Sequence, residues 1–108
     1  MSLNLSFRHM KPRDEVRKRV EALHGKLERF LDPAAETEMT VSVEHGQAIL
    51  EIVITNHGET FKVHEEDDDL RTAIDKLFHK AETHLRRSKE RRKANRHDVE
   101  KVDGFAVE

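Results

Sequence analysis

The chain of 108 residues has no cysteine, no tryptophan and no tyrosine, and only two prolines and four glycines. Without cysteine it forms neither a disulfide framework nor a thiolate nucleophile, and a zinc site built on cysteine ligands is excluded. At least four of the five phenylalanines fall at apolar, periodic positions. With Trp and Tyr also missing, there is no aromatic platform of the kind on which single-stranded nucleic acids stack their bases. No apolar run approaches the roughly 18 residues of a membrane span, and the opening MSLNLSFRHM lacks the charged segment and apolar stretch of a secretory signal. A cytoplasmic protein with no membrane partner is expected. Charge of one sign is not in excess either, since 20 basic and 22 acidic side chains leave a net −2. A surface for anions must therefore arise from segregation of charge along the chain.

Catalytic signatures are absent as well. The eight histidines, at 9, 24, 45, 57, 64, 79, 84 and 97, include no pair at i+3 or i+4, so no helix carries an HExxH-type ligand pair. There is no GxGxxG, no P-loop and no GxSxG. No catalytic residue, metal, cofactor or small-molecule substrate is expected, and an enzyme is not.

What is present is organised around Asp69–Lys93, a stretch with neither Gly nor Pro. At 100° per residue, Leu70, Ala73, Ile74, Leu77, Phe78, Ala81 and Leu85 share one arc, wide enough to lie on a sheet. One flank of that arc carries Lys76, Lys80, Thr83, Arg87 and Arg91, with Asp75 and Glu82 on the other. From Lys76 to Arg96, nine Lys or Arg stand against two acids, a local charge of +7. Charged helix ends are commonly solvated faces, and cations near a C-terminus suit the helix dipole. A row of cations at i, i+4 and i+7 spacing, however, also matches a row of phosphates.

In the remainder of the chain, Leu3, Leu5 and Phe7 alternate with polar residues as in a half-buried strand. A helix is predicted from Asp14-Glu15 to Leu31, ending ahead of Asp32-Pro33. It has a weaker basic flank of Lys18, Arg19, Lys26 and Arg29. Met39, Val41 and Val43 mark a second strand, His45-Gly46 a tight turn, Ala48–Thr55 a central third strand, Asn56-His57-Gly58 a second turn, and Phe61 and Val63 a fourth strand. The five carboxylates from Glu65 to Asp69 are predicted to cap the second helix electrostatically, with calcium binding as the alternative.

The order β-α-β-β-β-α implies an α+β fold. Strands one and two should be parallel across a right-handed connection, strands two to four an antiparallel meander, and both helices should cover one face of a four-stranded mixed sheet. The expected core includes Leu5, Leu23, Leu27, Val41, Leu50, Ile52, Phe61, Ile74 and Leu77. Residues 1–94 read as one domain and 95–108, lacking periodicity, as a flexible tail.

The stretch FRHMKPRDEVRKRVEALHGKLERFLD resembles the first strand and helix of the ribosome hibernation-promoting factors, the group that includes ribosome-associated inhibitor A. GETFKVHEEDDDLRTAIDKLFHKAETHLRRSK is similar, in order and spacing, to that family's G-x-x-L-x-A-x-E, D-x-Y-x-A-I-D and K-L-x-R-Q-L-x-x-x-K pattern. Arg71 stands where the family often has Tyr, and Thr83-His84 where it has Arg-Gln. The resemblance, over roughly residues 2 to 93, implies the same βαβββα fold. It also implies a cytoplasmic translation inhibitor that binds the small ribosomal subunit near the decoding centre. Such a protein blocks mRNA and tRNA sites, and holds ribosomes idle under stress or in stationary phase. Carried over by position, the implied rRNA contacts are Arg8, His9, Lys26, Lys80, Arg87 and Lys89; the basic flank adds Lys76 and Arg91. A chain ending at Glu108 has no room for the dimerising domain of the long members, so a short form is expected, monomeric away from the ribosome. The alternatives are a general double-stranded RNA-binding module and a protein-binding regulator of a sigma factor.

Overall fold

In the computed structural model, the backbone of residues 1–107 and the side chains of residues 1–94 are described. Strand β1 (Ser2–Arg8) turns Leu3, Leu5 and Phe7 inward by strict alternation. Helix α1 (Asp14–Gly25) buries Val16, Val20 and His24, a single stripe at i, i+4 and i+8. It ends earlier than the apolar pattern predicts. Gly25 is a poor helix former, and after it the backbone tightens, with Leu27 N–H donating to His24 O at 2.9 Å. A single 3₁₀ turn, η1 (Glu28–Phe30), follows. Leu27 and Phe30, three residues apart, are both buried by this tighter turn.

Strands β2 (Glu36–Glu44), β3 (Gln47–Asn56) and β4 (Glu59–Asp67) form the meander. Both connections are two-residue loops with positive φ at each central position, His45-Gly46 at 51° and 75° and His57-Gly58 at the same angles. This is the type I′ geometry whose twist matches the strands it joins. The sheet order is β1-β2-β3-β4, with β1 parallel to β2 and the remaining pairs antiparallel. Helix α2 (Leu70–Val107) returns across the sheet. It runs beyond Lys93, where the sequence pattern ends; the side chains of 95–108, on which the tail expectation bears, lie outside the described residues.

The fold is thus the expected α+β arrangement of a four-stranded mixed sheet and two helices. The core between the layers joins Met39, Val41, Leu50, Ile52 and Ile54 of the sheet to Val16 and Val20 of α1 and to Ala73, Ile74, Leu77, Phe78, Ala81 and Leu85 of α2. Of the expected core set, Leu5, Leu23 and Phe61 are only partly buried and pack at its margin. The second apolar parity of β3, Ile49 and Val53, is half-buried on the face that no helix covers.

One expectation is corrected. Glu65 and Asp67 do not cap α2, because β4 continues through them. Only Asp69 caps the helix: its Oδ2 accepts the Thr72 N–H at 3.1 Å. Glu65 and Asp67 continue the alternation of Phe61 and Val63, so they point toward α2. Among the described residues, no group of His, Asp and Glu is arranged to hold a metal ion.

Candidate nucleic-acid interface

Helices α1 and α2 run side by side in the same direction, joined by Arg19–Asp75 at 2.7 Å, and Arg29 of η1 reaches Glu82 of α2 at 2.9 Å. On the opposite side of α2 lies β4. There Lys76 Nζ meets Asp67 Oδ2 at 3.0 Å and Lys80 Nζ lies 2.5 Å from Glu65 Oε2, outside hydrogen-bonding geometry. Asp67 also accepts the Asp69 N–H at 2.9 Å. That backbone bond, followed by the Lys76 ammonium, lowers its carboxyl to about 2. Asp67 in turn raises Lys76. The first half of the basic flank is therefore internally neutralised by the strand beneath it.

The second half is not. From Arg86 to Lys93 there are six Lys or Arg and a single acid, Glu90. Arg87, Lys89 and Arg91 pair with no carboxylate among the described residues, and Arg91 donates only to Ser88 Oγ at 3.1 Å. Arg87 and Arg91 share the β4 side of the helix with Lys76 and Lys80. Lys89 faces the other way, toward η1, where its Nζ is 5.7 Å from the Phe30 ring centroid. His84, in the place of the family's Gln, stacks on Phe61 with centroids 3.9 Å apart. Burial, with Arg91 adding, lowers its imidazole below the ordinary value, so it fills space beneath the cations as a neutral ring.

The remaining candidates lie elsewhere. Lys26 borders a shallow groove between α1 and α2 alongside Asp75, His79 and Glu82. Arg8 and His9 open onto the uncovered face of the sheet, in a depression of about 300 Å³ shared with Glu44, Glu51 and His64, and His9 approaches Glu44 at 3.4 Å. That face also presents Glu36, Glu38 and Glu66 by strand alternation, against Arg8 and Lys62. The structure thus places Arg87 and Arg91 on the β4 side of the middle of α2 and Lys89 on its η1 side, sets Lys76 and Lys80 in ion pairs, and leaves Arg8 and His9 on a separate, carboxylate-rich face. Spacing along the chain did not single out Arg86 and Lys93, which together with Arg29 of the weaker first-helix flank surround Lys89. The signal of Arg86 and Lys93 was the run of six cations, read there as a flank on one side only.

Residues 3–93 match the family described as sigma 54 modulation protein / S30EA ribosomal protein. The chain belongs to this family. It is a ribosome-associated family and not a family of enzymes. Among solved structures, the N-terminal domain of Protein Y from Thermus thermophilus is similar, at 31% identity and a TM-score of 0.72, over 78% of this chain and 93% of that one. A ribosomal subunit interface protein from Coxiella burnetii, at 21% identity, has the same fold, with a TM-score of 0.71 over 83% of this chain and 99% of that one. No curated protein sequence matches closely enough to add a relative. No described helix of this family member is long and apolar enough to cross a membrane.

Proposed function

We propose that the protein is a cytoplasmic hibernation-type translation inhibitor that binds rRNA of the small ribosomal subunit near the decoding centre and blocks mRNA and tRNA sites. Residues 1–94 act as the ribosome-binding domain, and the protein is a monomer away from the ribosome. The observation that carries this reading is that the family match over residues 3–93 includes the cation-rich middle of α2, with six cations to one acid between Arg86 and Lys93. Such a row suits a phosphate backbone held by shape and charge, and among the described residues no Phe is exposed in the way single-strand recognition uses.

Sedimentation through sucrose gradients with purified subunits tests it. The protein should travel with the small subunit, less so as salt rises, and small subunits preloaded with mRNA and tRNA should exclude it. Equal sedimentation with both subunits, or indifference to preloading, would refute the assignment. The family's description also supports a regulator of a sigma factor. That reading instead predicts capture of the sigma polypeptide with little dependence on salt.

A further inference from the structure

Strand β3 is apolar on both of its faces. Ala48, Leu50, Ile52 and Ile54 point into the core, while Ile49 and Val53 lie on the opposite parity, half-buried, on the face that no helix covers. Apolar residues on both parities are the composition of a strand packed on two sides, whereas a strand with one wet face alternates. The register sets a carboxylate beside each of the two. Val53 lies opposite Glu38 of β2, Ile49 lies opposite Glu66 of β4, and Glu51 stands between them on β3 itself. With Glu36 and Glu44, the strands present five glutamates on this face against Arg8 and Lys62, a net −3 with histidine neutral. Glu51 is 3.7 Å from Lys62, Glu44 is 3.4 Å from His9, and Glu66 is 3.1 Å from His64. Glu36 and Glu38, both exposed, enter no ion pair among the described residues.

We propose that this face docks a lysine- and arginine-rich polypeptide segment, whose apolar side chains sit on Ile49 and Val53 while its cations reach the surrounding glutamates. The sign of the charge selects among the occupants. The phosphates of RNA or of an anionic membrane meet like charge here, and a second copy of the chain would set the same net negative face against itself. A basic segment is attracted instead. Its long Lys and Arg stems lie along the apolar strip and keep their charged ends at the water-exposed rim, where the glutamates lose little hydration. The inference does not rest on the ribosomal reading. It concerns the face of the sheet turned away from α2, so a partner polypeptide there leaves the cations between Arg86 and Lys93 free for their own contact.

The test uses a short labelled amphipathic peptide of Leu and Lys, with a Leu and Glu peptide of the same pattern as its control. Binding is followed by fluorescence anisotropy at low and high salt, and melting temperature checks folding. The parent should bind the Leu/Lys peptide, more weakly as salt rises, and ignore the Leu/Glu peptide. Glu36→Gln/Glu38→Gln should weaken binding about fivefold or more, from two lost charge contacts. Ile49→Thr/Val53→Thr, which keeps β-branched side chains in the strand, should weaken it about tenfold through lost apolar contact. Glu21→Gln/Glu28→Gln removes the same charge from exposed positions of α1 and η1 and should stay within about twofold of the parent. In NMR titrations the shifted amides should cluster around Ile49, Glu51 and Val53. No binding of the Leu/Lys peptide, equal binding of the Leu/Glu peptide, or an equal loss in the Glu21/Glu28 variant would each overturn the proposal. So would the same amides shifting with an RNA duplex or with protein concentration alone, which would give the face to nucleic acid or to a second copy.

Discussion

His24 is buried on the inner face of α1 with Nε2 2.9 Å from Thr37 Oγ1 of β2, itself buried. Burial lowers its pKa below 6.5, with nearby Glu28 opposing and the N-terminal ammonium adding. The folded protein therefore holds a neutral ring that the unfolded chain would protonate more readily. Stability from this site is fully present above pH 6.5 and is lost as pH falls through that value toward the lower folded pKa. His84, shifted in the same direction by burial, adds to the same loss. Urea denaturation at pH 7.5 and pH 5.5 should give a lower midpoint at the acidic pH. In His24→Leu the difference should shrink toward what His84 alone supplies. An unchanged difference in that variant would show that His24 does not drive it. His24 was readable as a core residue only through its place four residues after Val20 and eight after Val16, since histidine carries no fixed burial preference.

At the scale of elements, the hairpins were legible because each needs positive φ in two successive residues and each sequence offers a glycine second. The end of β4 was not, because five consecutive carboxylates satisfy two rules at once. They can flank a helix start, or they can alternate along a strand with Glu65 and Asp67 facing partners that only the fold supplies. The break in the first helical segment was equally hidden: Leu27 and Phe30 fit an α-helical stripe and a 3₁₀ turn alike, and Gly25 alone tips the choice. The η1 corner depends on Asn56, which looks like an ordinary turn residue in the sequence yet is buried with both ends of its amide engaged. Asn56→Ala strands the Phe30 carbonyl and the Asp32 amide, and should cost about 1 to 3 kcal/mol in equilibrium denaturation. A cost below about half a kcal/mol would mean that water replaces the amide.

For the molecule as a whole, charge is sorted by layer, with cations concentrated at the middle of α2, from Arg86 to Lys93, and glutamates on the uncovered face of the sheet. A net charge of −2 conceals this, and the family carry-over conceals it too, because Arg8 and His9 follow the inward-facing Phe7 in sequence yet open onto the opposite face from Lys89. The connectivity has a further consequence, in time rather than in space. Strands β2 to β4 are joined by two-residue loops and close locally, whereas β1 reaches its place beside β2 only after the whole of α1 and η1 has folded back. Closing that longer loop brings an entropic cost before any parallel pairing offsets it. The meander with α2 should therefore assemble first and the β1–α1 unit dock onto it. In stopped-flow chevrons, Ile52→Val in β3 should slow refolding, while Leu5→Ala in β1 should mainly speed unfolding. The reverse pattern would place the amino-terminal strand in the folding nucleus. The edge that is made first in synthesis is thus the edge that is sealed last in folding, and β2 waits with one side unpaired until it arrives.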